Sequence, residues 1–426
     1  MKLILICLFV LLFTILTSVA QIPKSAYVVN TLGESLSMIN LENQTVLQPP
    51  QPLGLYANDV KVSGDRAYIV ISGLNEIRIL NLPTLNHLGS IYLGSGTNPY
   101  AIDFINDSVA VVSLLLTNQV AFINVEKQQV DQFVTVGSGP QGVLYFEENV
   151  YVANSGFNGS GYDPGKVSVI SLGDYSVSSV DVGINPQSLD ADTNDHIIVA
   201  CSGDYVSVAA RIDMIDTQLQ TVIFSQTVNQ PITTVAVNQQ NMAFLATYTS
   251  GVMVFDLSQQ VFVRDDTNPL PGGPGVAFDQ SDNSYICHFD LDSVYVYSQN
   301  LQKIHAYLVG DGPIAIAVFD PAYSPLRESK PMTQQDFRLF QNFPNPFNPR
   351  TRIQFHLPVH SFVELEILNI GGQVIRKLLQ KELTTGMHSY FWDGNDDRGD
   401  RVASGSYFYR IKTPGFQQVK KMIYIK

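Results

Sequence analysis

Apolar residues along this chain fall into short blocks separated by polar, Gly- and Pro-containing turns, and they do not keep a helical rhythm. One block recurs. Residues 150–154 read VYVAN, and altered copies stand at 26–30 (AYVVN), 67–71 (AYIVI), 109–113 (VAVVS), 197–201 (IIVAC), 243–247 (AFLAT) and 284–288 (SYICH). Their starts are spaced by 41, 42, 41, 47, 46 and 41 residues. A near-constant period of that size marks a repeat architecture. A partner block rich in β-branched residues follows each copy, at 35–41, 76–82, 119–125, 166–172, 211–217, 251–257 and 293–299. Then come a weaker segment, as at 129–136, a Pro-containing turn, and a short strand such as 100–104 or 314–319. Four strands per unit, seven times over, predict a β-propeller across 21–320. The chain enters at the second strand of a unit, and 314–319 is a first strand with no unit after it. The expected closure pairs 314–319 with 26–30, because an open edge would leave backbone groups bare.

The pattern then changes. Residues 321–337 contain Pro and Ser without strand periodicity and read as a linker. Six strands are predicted at 351–357, 362–370, 373–379, 387–392, 405–412 and 418–425, which suggests a small Ig-like β-sandwich over 338–426. The expected fold class is therefore all-β, a seven-bladed β-propeller followed by an Ig-like sandwich.

Both halves resemble known families. The Tyr-Val strands, their partner strands and the Gly/Pro turns are similar to the YVTN-type seven-bladed propeller repeat; 150–154 fits best, and His288 stands where Asn is expected. In the second half, QNFPNPFNP (341–349), FWDGNDDRGDRVASGSYFYRI (391–411) and KKMIYIK (420–426) resemble the C-terminal sorting domain of type IX secretion substrates, the form similar to the Ig-like domain of flagellar hook-capping proteins. Phe343 stands where Tyr is commoner. The resemblance implies that Asn342, Pro344, Asn345, Pro346, Phe347, Asn348 and Pro349 belong to a sorting motif. It also implies that 338–426 engages an outer-membrane secretion machinery. The expected location is the medium or outer cell surface of a Gram-negative-type bacterium.

Composition sharpens this picture. Met1-Lys2, the apolar run 3–16 and Ser18-Val19-Ala20 read as a signal peptide over 1–20. Cys201 and Cys287 lie two repeats apart and are expected to be small buried hydrophobes rather than a disulfide. From Arg338 onward there are 13 basic and 7 acidic residues, net +6; residues 21–337 carry 11 and 31, net −20. An acidic body of that kind disfavours nucleic acid as a partner.

Candidate chemistry is sparse. The seven His are scattered, no grouping has metal-ligand spacing, and no nucleophile motif is present, so neither cofactor nor metal is expected. Related propellers include lactone hydrolases, which leaves a hydrolase acting on a lactone or glycan as the alternative to a binding module. Arg398-Gly399-Asp400 falls in a polar turn. Asp393, Asn395 and Asp397 open like a calcium loop, but Arg398 occupies the required Gly position. The clearest functional feature is asymmetry. The turns at 155–165 and 202–210 are longer than their counterparts, and their blades are neighbours. Phe157, Tyr162 and Tyr205 on these loops, with Asn154 beside them, are candidate ligand-binding residues. The inter-blade amides Asn58, Asn98, Gln141, Asn185, Gln187 and Gln230 are expected to ring the channel mouth, where they would suit an extracellular glycan, peptide or protein ligand.

Overall fold

The structure, a computed structural model, describes residues 22–321 and, within 337–425, all except 340, 341, 343, 344, 346, 358 and 385. The signal segment 1–20 and nearly all of the linker 321–337 lie outside the described residues, as do Pro344 and Pro346. The described residues fall into two compact units, one closing with the strand Pro313–Phe319 and the other opening with Arg338–Leu339. No described helix is long and apolar enough to cross a membrane.

The first unit contains seven antiparallel sheets, each a blade whose first strand lies innermost. The repeated Tyr-Val block is the second strand of every blade, as in Ser25–Asn30, Arg66–Ile71 and Asn149–Asn154. Its continuous apolar run has a packing cause, since a neighbouring blade covers each face of it. Tyr27 and Val29 pack toward Ile69 and Ile71 of the second blade, whereas Ala26 and Val28 pack toward Cys287 and Val294 of the seventh. The same division repeats around the ring in seven clusters, each shared by two adjacent blades. Outermost strands have one dry face and alternate, as Thr221–Val228 does. Cys201 and Cys287 are both free and buried.

Closure follows the expected route. Pro313–Phe319 pairs antiparallel with Ser25–Asn30, with Tyr27 opposite Ala317 and Val29 opposite Ala315. The last strand of the unit in sequence thereby becomes the inner strand of the first blade. Lys24 adds an ion pair to Asp279 of the seventh blade at 3.3 Å.

Blade one departs from the four-strand pattern. Its outer strand is broken into Thr45–Val46 and Gln51–Pro52, both on Ser35–Asn40. The segment between them contains Pro49 and Pro50. Neither can donate to a ladder, so pairing stops there and resumes after them.

The second unit is a sandwich. One sheet holds Arg338–Leu339, Thr351–Leu357 and Gly386–Trp392; the other holds Val374–Leu383, Ser361–Leu368, Gly405–Thr413 and Phe416–Tyr424. Trp392, the chain's one tryptophan, is fully buried and meets Phe347 at 5.4 Å and Tyr407 at 5.3 Å between ring centroids. Glu366, nearly buried, accepts from Arg410 at 2.8 Å and pairs with Lys412 at 3.3 Å. These two cations hold its carboxyl below the usual range against the opposing effect of burial, which is the largest single influence on it.

Candidate functional site

The loops between second and third strands share one face of the propeller with the inter-blade turns, because strands alternate in direction. Each turn leads into an inner strand at Pro99, Pro140, Pro186 or Pro313. The residue just before that Pro has a left-handed backbone: Asn98 (φ 48°), Gly139 (63°), Asn185 (57°) and Gly312 (66°). Asn is the side chain that best tolerates this region, so Asn98 and Asn185 occupy positions that other blades give to Gly. In three blades the last residue of the long-loop position steadies the next turn. Asn75 accepts from the Asn98 N–H at 3.0 Å, Asn118 from Gly139 at 3.0 Å, and Asp292 from Gly312 at 3.0 Å. Blade four has Gly165 at this position and an insertion before it.

That insertion, 155–165, folds back on itself. Phe157 bridges Tyr162, the Asn158 Oδ1 accepts from the N–H groups of Ser160 and Gly161, and the Asp163 N–H reaches the Gly156 carbonyl at 2.9 Å. Gly156 (φ 71°) is required there, because a Cβ would lie 2.8 Å from the Asp163 carbonyl. In blade five, the Asp204 carboxylate accepts from the Ser207 hydroxyl and from the N–H groups of Val208, Val206 and Ser207. These four donors hold it well below the usual carboxylate range. Tyr205 projects from the tip of this turn with a left-handed backbone (φ 63°).

The two loops meet. The Phe157 and Tyr162 rings are 5.6 Å apart and the Tyr162 and Tyr205 rings 6.1 Å apart. Phe157 is 53% exposed and Tyr205 51%. Gln187, at the start of the inner strand of blade five, donates to the Tyr205 hydroxyl at 2.7 Å. Burial raises the Tyr162 phenol, Tyr205 adds to this, and the neighbouring Asn185 amide opposes it. Asn185 is fully buried; its Oδ1 accepts from Gln187 at 3.4 Å, and its Nδ2 has no protein partner of good hydrogen-bond geometry. The buried Gln141 Oε1 is in the same state.

Three aromatics that the pattern reading passed over extend the arc. Tyr100 follows Pro99 at the register of Gln141 and Gln187. Burial pushes its phenol up to about 12, and Tyr248, Tyr205 and Asp59 act in the same sense, which places it among them. Tyr248, 47% exposed, packs on Phe289 at 5.0 Å. Tyr248 and Phe289 fall just after the repeat block of blades six and seven, a position readable in the sequence once the loop face is known.

One candidate is placed differently from the expectation. Asn154 is buried in the blade rather than at the mouth. It donates to the carbonyls of Val152 and Lys166 and to Ser168, and it fills the space beneath Gly137, where a Cβ would meet it at 2.7 Å. Asn98 serves its turn through its backbone. Gln230 lies partly exposed in the turn before blade six, outside the ring contacts just described. Replacement of Asn98 by Gly is expected to leave the melting temperature nearly unchanged. Asn98→Val should cost about 1–2 kcal/mol, read from the same thermal melts, because a β-branched side chain resists positive φ. Equal losses for both would show that the left-handed turn is not what selects Asn.

The carboxylates nearest the axis have a structural use. Asp59 accepts from the N–H of Ile102, Asp103 from Tyr145 and Asp190 from Val237, at 3.1, 2.7 and 2.7 Å. Each spans from one blade's inner strand to the next. Burial raises the Asp59 carboxyl, while Lys61 and the two N–H donors oppose this. At the opposite end of the unit, a cleft of about 230 Å³ between blades six and seven is lined by Asn238, Met242, Phe244, Asp282, Gln299 and Leu301. It holds none of the expected site residues.

In the second unit the described residues of the 341–349 segment are used internally. The Asn342 Nδ2 donates to Thr351 at 2.9 Å, Asn345 accepts from the Ile423 N–H at 2.7 Å, and Phe347 is buried against Tyr424 at 4.9 Å. Asn348 and Pro349 are exposed. At the calcium-like turn, Asp393 and Asp396 accept from their own turn's N–H groups, and Asp397 accepts from the Lys377 N–H.

Comparison with known proteins supports both architectures. Residues 350–414 match the FlgD Ig-like domain family. The chain is similar in structure to a functionally unknown protein from Desulfotomaculum acetoxidans, with TM-score 0.56 and 14% identity over 69% of this chain and 98% of that one. It is also similar to the hydrazine synthase of Kuenenia stuttgartiensis, with TM-score 0.53 and 15% identity over 61% and 88%. A third likeness is virginiamycin B lyase from Staphylococcus aureus, with TM-score 0.50 and 11% identity over 63% and 92%. No curated protein matches the sequence. At these identities the likeness establishes fold, and the chain is a β-propeller joined to an Ig-like domain.

Proposed function

We propose that this protein is an exported binding module. Its propeller would hold an extracellular glycan, peptide or protein on the aromatic face of blades three to seven, and its C-terminal unit would serve as the export address. One observation carries the binding reading: half-exposed rings from separate, individually braced loops converge on one face of the propeller. Exposed aromatics on a rigid scaffold offer contact area at low entropic cost. The hydrolase alternative needs free carboxylates near the axis, and Asp59, Asp103 and Asp190 are engaged by backbone N–H groups of the next blade. The direct test is a glycan and peptide array probed with the mature chain. Saturable binding to a defined set of spots supports the reading, and uniform absence of binding contradicts it.

The export reading rests on the signal-like 1–20 and on the resemblance of 338–426 to a type IX sorting domain. The change of net charge from −20 to +6 adds to it. Its partner would be the outer-membrane secretion machinery, and its destination the surface or medium of a Gram-negative-type bacterium. Deletion of 338–426 in a host with that route is expected to trap the propeller in the periplasm. Fusion of 338–426 to an unrelated exported protein should carry it outside. Normal secretion of the deleted form would overturn the assignment.

A further inference from the structure

The loops of the aromatic face carry charge of one sign only. They comprise 31–34, 47–56, 72–75, 93–98, 115–118, 136–139, 155–165, 182–185, 202–209, 229–233, 247–251, 265–275, 289–292 and 309–312. Every charged residue in them is a carboxylate, and the aromatic arc has Asp163, Asp204 and Asp290 directly beside its rings, with Asp265 and Asp266 on the neighbouring connection. The basic residues nearest the two long loops, Lys166 and Arg211 at the ensuing strand starts, are each paired, with Asp181 at 2.5 Å and Asp213 at 3.0 Å. His288, next to Phe289, is kept toward its neutral form chiefly by burial. Turn chemistry explains why Asp occurs in such loops. It does not explain why Lys and Arg are kept to the flanking strands, where Arg78 donates to the Leu53 carbonyl and Arg264 adjoins Asp265.

Acidic residues alone would be an undirected field, but here they surround features that a ligand would need. Exposed Tyr and Phe rings attract a cation placed over their faces within about 6 Å. Tyr162 to Tyr205 spacing, 6.1 Å, lets one charged side chain reach either ring. Beside the rings, the buried Asn185 amide acts on the Tyr162 phenol, and the Gln141 Oε1 is buried without a protein partner. The carboxylate beside Tyr205 also keeps its charge far into acid, because its own turn donates to it.

We infer that the aromatic face binds a basic polypeptide segment, with Lys or Arg side chains over the rings and between the carboxylates beside them. This rests on the binding reading above and narrows its ligand to a cationic peptide. Anionic sugars, phosphorylated groups and nucleic acid are repelled by the same field.

The test uses the mature full chain and a fluorescein-labelled peptide of alternating Gly and Lys, with Gly-Ser and Gly-Glu peptides and a neutral cello-oligosaccharide as comparisons. The Gly-Lys peptide is expected to bind and to weaken about tenfold or more between about 0.05 and 0.5 M salt, as the Debye length contracts. Its affinity should fall again with Phe157→Ser, Tyr162→Ser and Tyr205→Ser combined, and with Asp163→Asn and Asp290→Asn combined. Binding should persist at about pH 4.5, above the ordinary aspartate pKa. Failure of the Gly-Lys peptide to bind overturns the inference. So does binding that ignores the ring substitutions, which would reduce it to general attraction by an acidic body. Equal, salt-insensitive binding of the Gly-Ser peptide or the oligosaccharide overturns the cationic assignment while leaving the aromatic face as the binding site.

Discussion

A chain spanning residues 21–312 is expected to lose cooperative unfolding of the propeller. Without Pro313–Phe319, the first blade has no inner strand, and the backbone edge of Ser25–Asn30 is bared in the middle of the unit. Ile316 and Phe319 leave the cores they share with blades seven and two. Core truncations of this size cost about 2–5 kcal/mol each, and a domain's whole margin is about 5–15 kcal/mol. Loss of the strand therefore exceeds what the remaining six blades can absorb. Circular dichroism melts should show a broad transition at lower temperature. In the full-length chain, Ile316→Asp should weaken the same seam by placing a charge in it without a partner. A truncated chain that melts as the intact one does would show that the ring does not depend on this closure.

Replacement of Phe157, Tyr162 and Tyr205 together by Ser is expected to abolish ligand binding in practice while leaving the fold alone. A ring that anchors an interface is worth about 2 kcal/mol or more, about thirtyfold in affinity, so removal of three lowers it by several hundredfold or more (about 10⁴-fold if the losses add). Stability should change little, because Phe157 and Tyr205 are half exposed and substitutions of this kind away from a core usually stay within about 0.5 kcal/mol each. The supporting turns do not use these rings: Asn158 and Asp204 hold them through backbone donors. Isothermal titration with the mature variant separates the two effects when paired with its melt. Unchanged affinity would return both loops to the status of surface insertions.

The propeller was legible because its packing writes itself into the sequence. A strand covered on both faces must be apolar at consecutive positions, and seven such strands at nearly fixed spacing leave little else to build. The meeting of Phe157, Tyr162 and Tyr205 was legible for a related reason, since equivalent loops of adjacent blades must be neighbours. Roles that depend on backbone conformation or side-chain direction were not. Asn98 and Asn185 look like polar mouth residues in sequence, yet a left-handed turn selects them. Asn154 looks like a strand-end ligand and is instead a buried bracket for the third strand. Tyr100 points into the arc only because the inner strand's register carries it there, and that register is set by the turn before Pro99. The break in blade one's outer strand was written in Pro49 and Pro50, but a proline run does not say where pairing resumes.

The central claim is that the protein engages its ligand at the mouth formed by blades three to seven. Hydrogen exchange of the mature chain, with and without a saturating ligand recovered from the array, tests it most directly. The account predicts slowed exchange in 155–165, 202–209 and 247–251, with the C-terminal strands unchanged. Protection confined to the opposite loops, such as 193–195 and 238–241, or to the sandwich strands Gly405–Thr413 and Phe416–Tyr424, would contradict it.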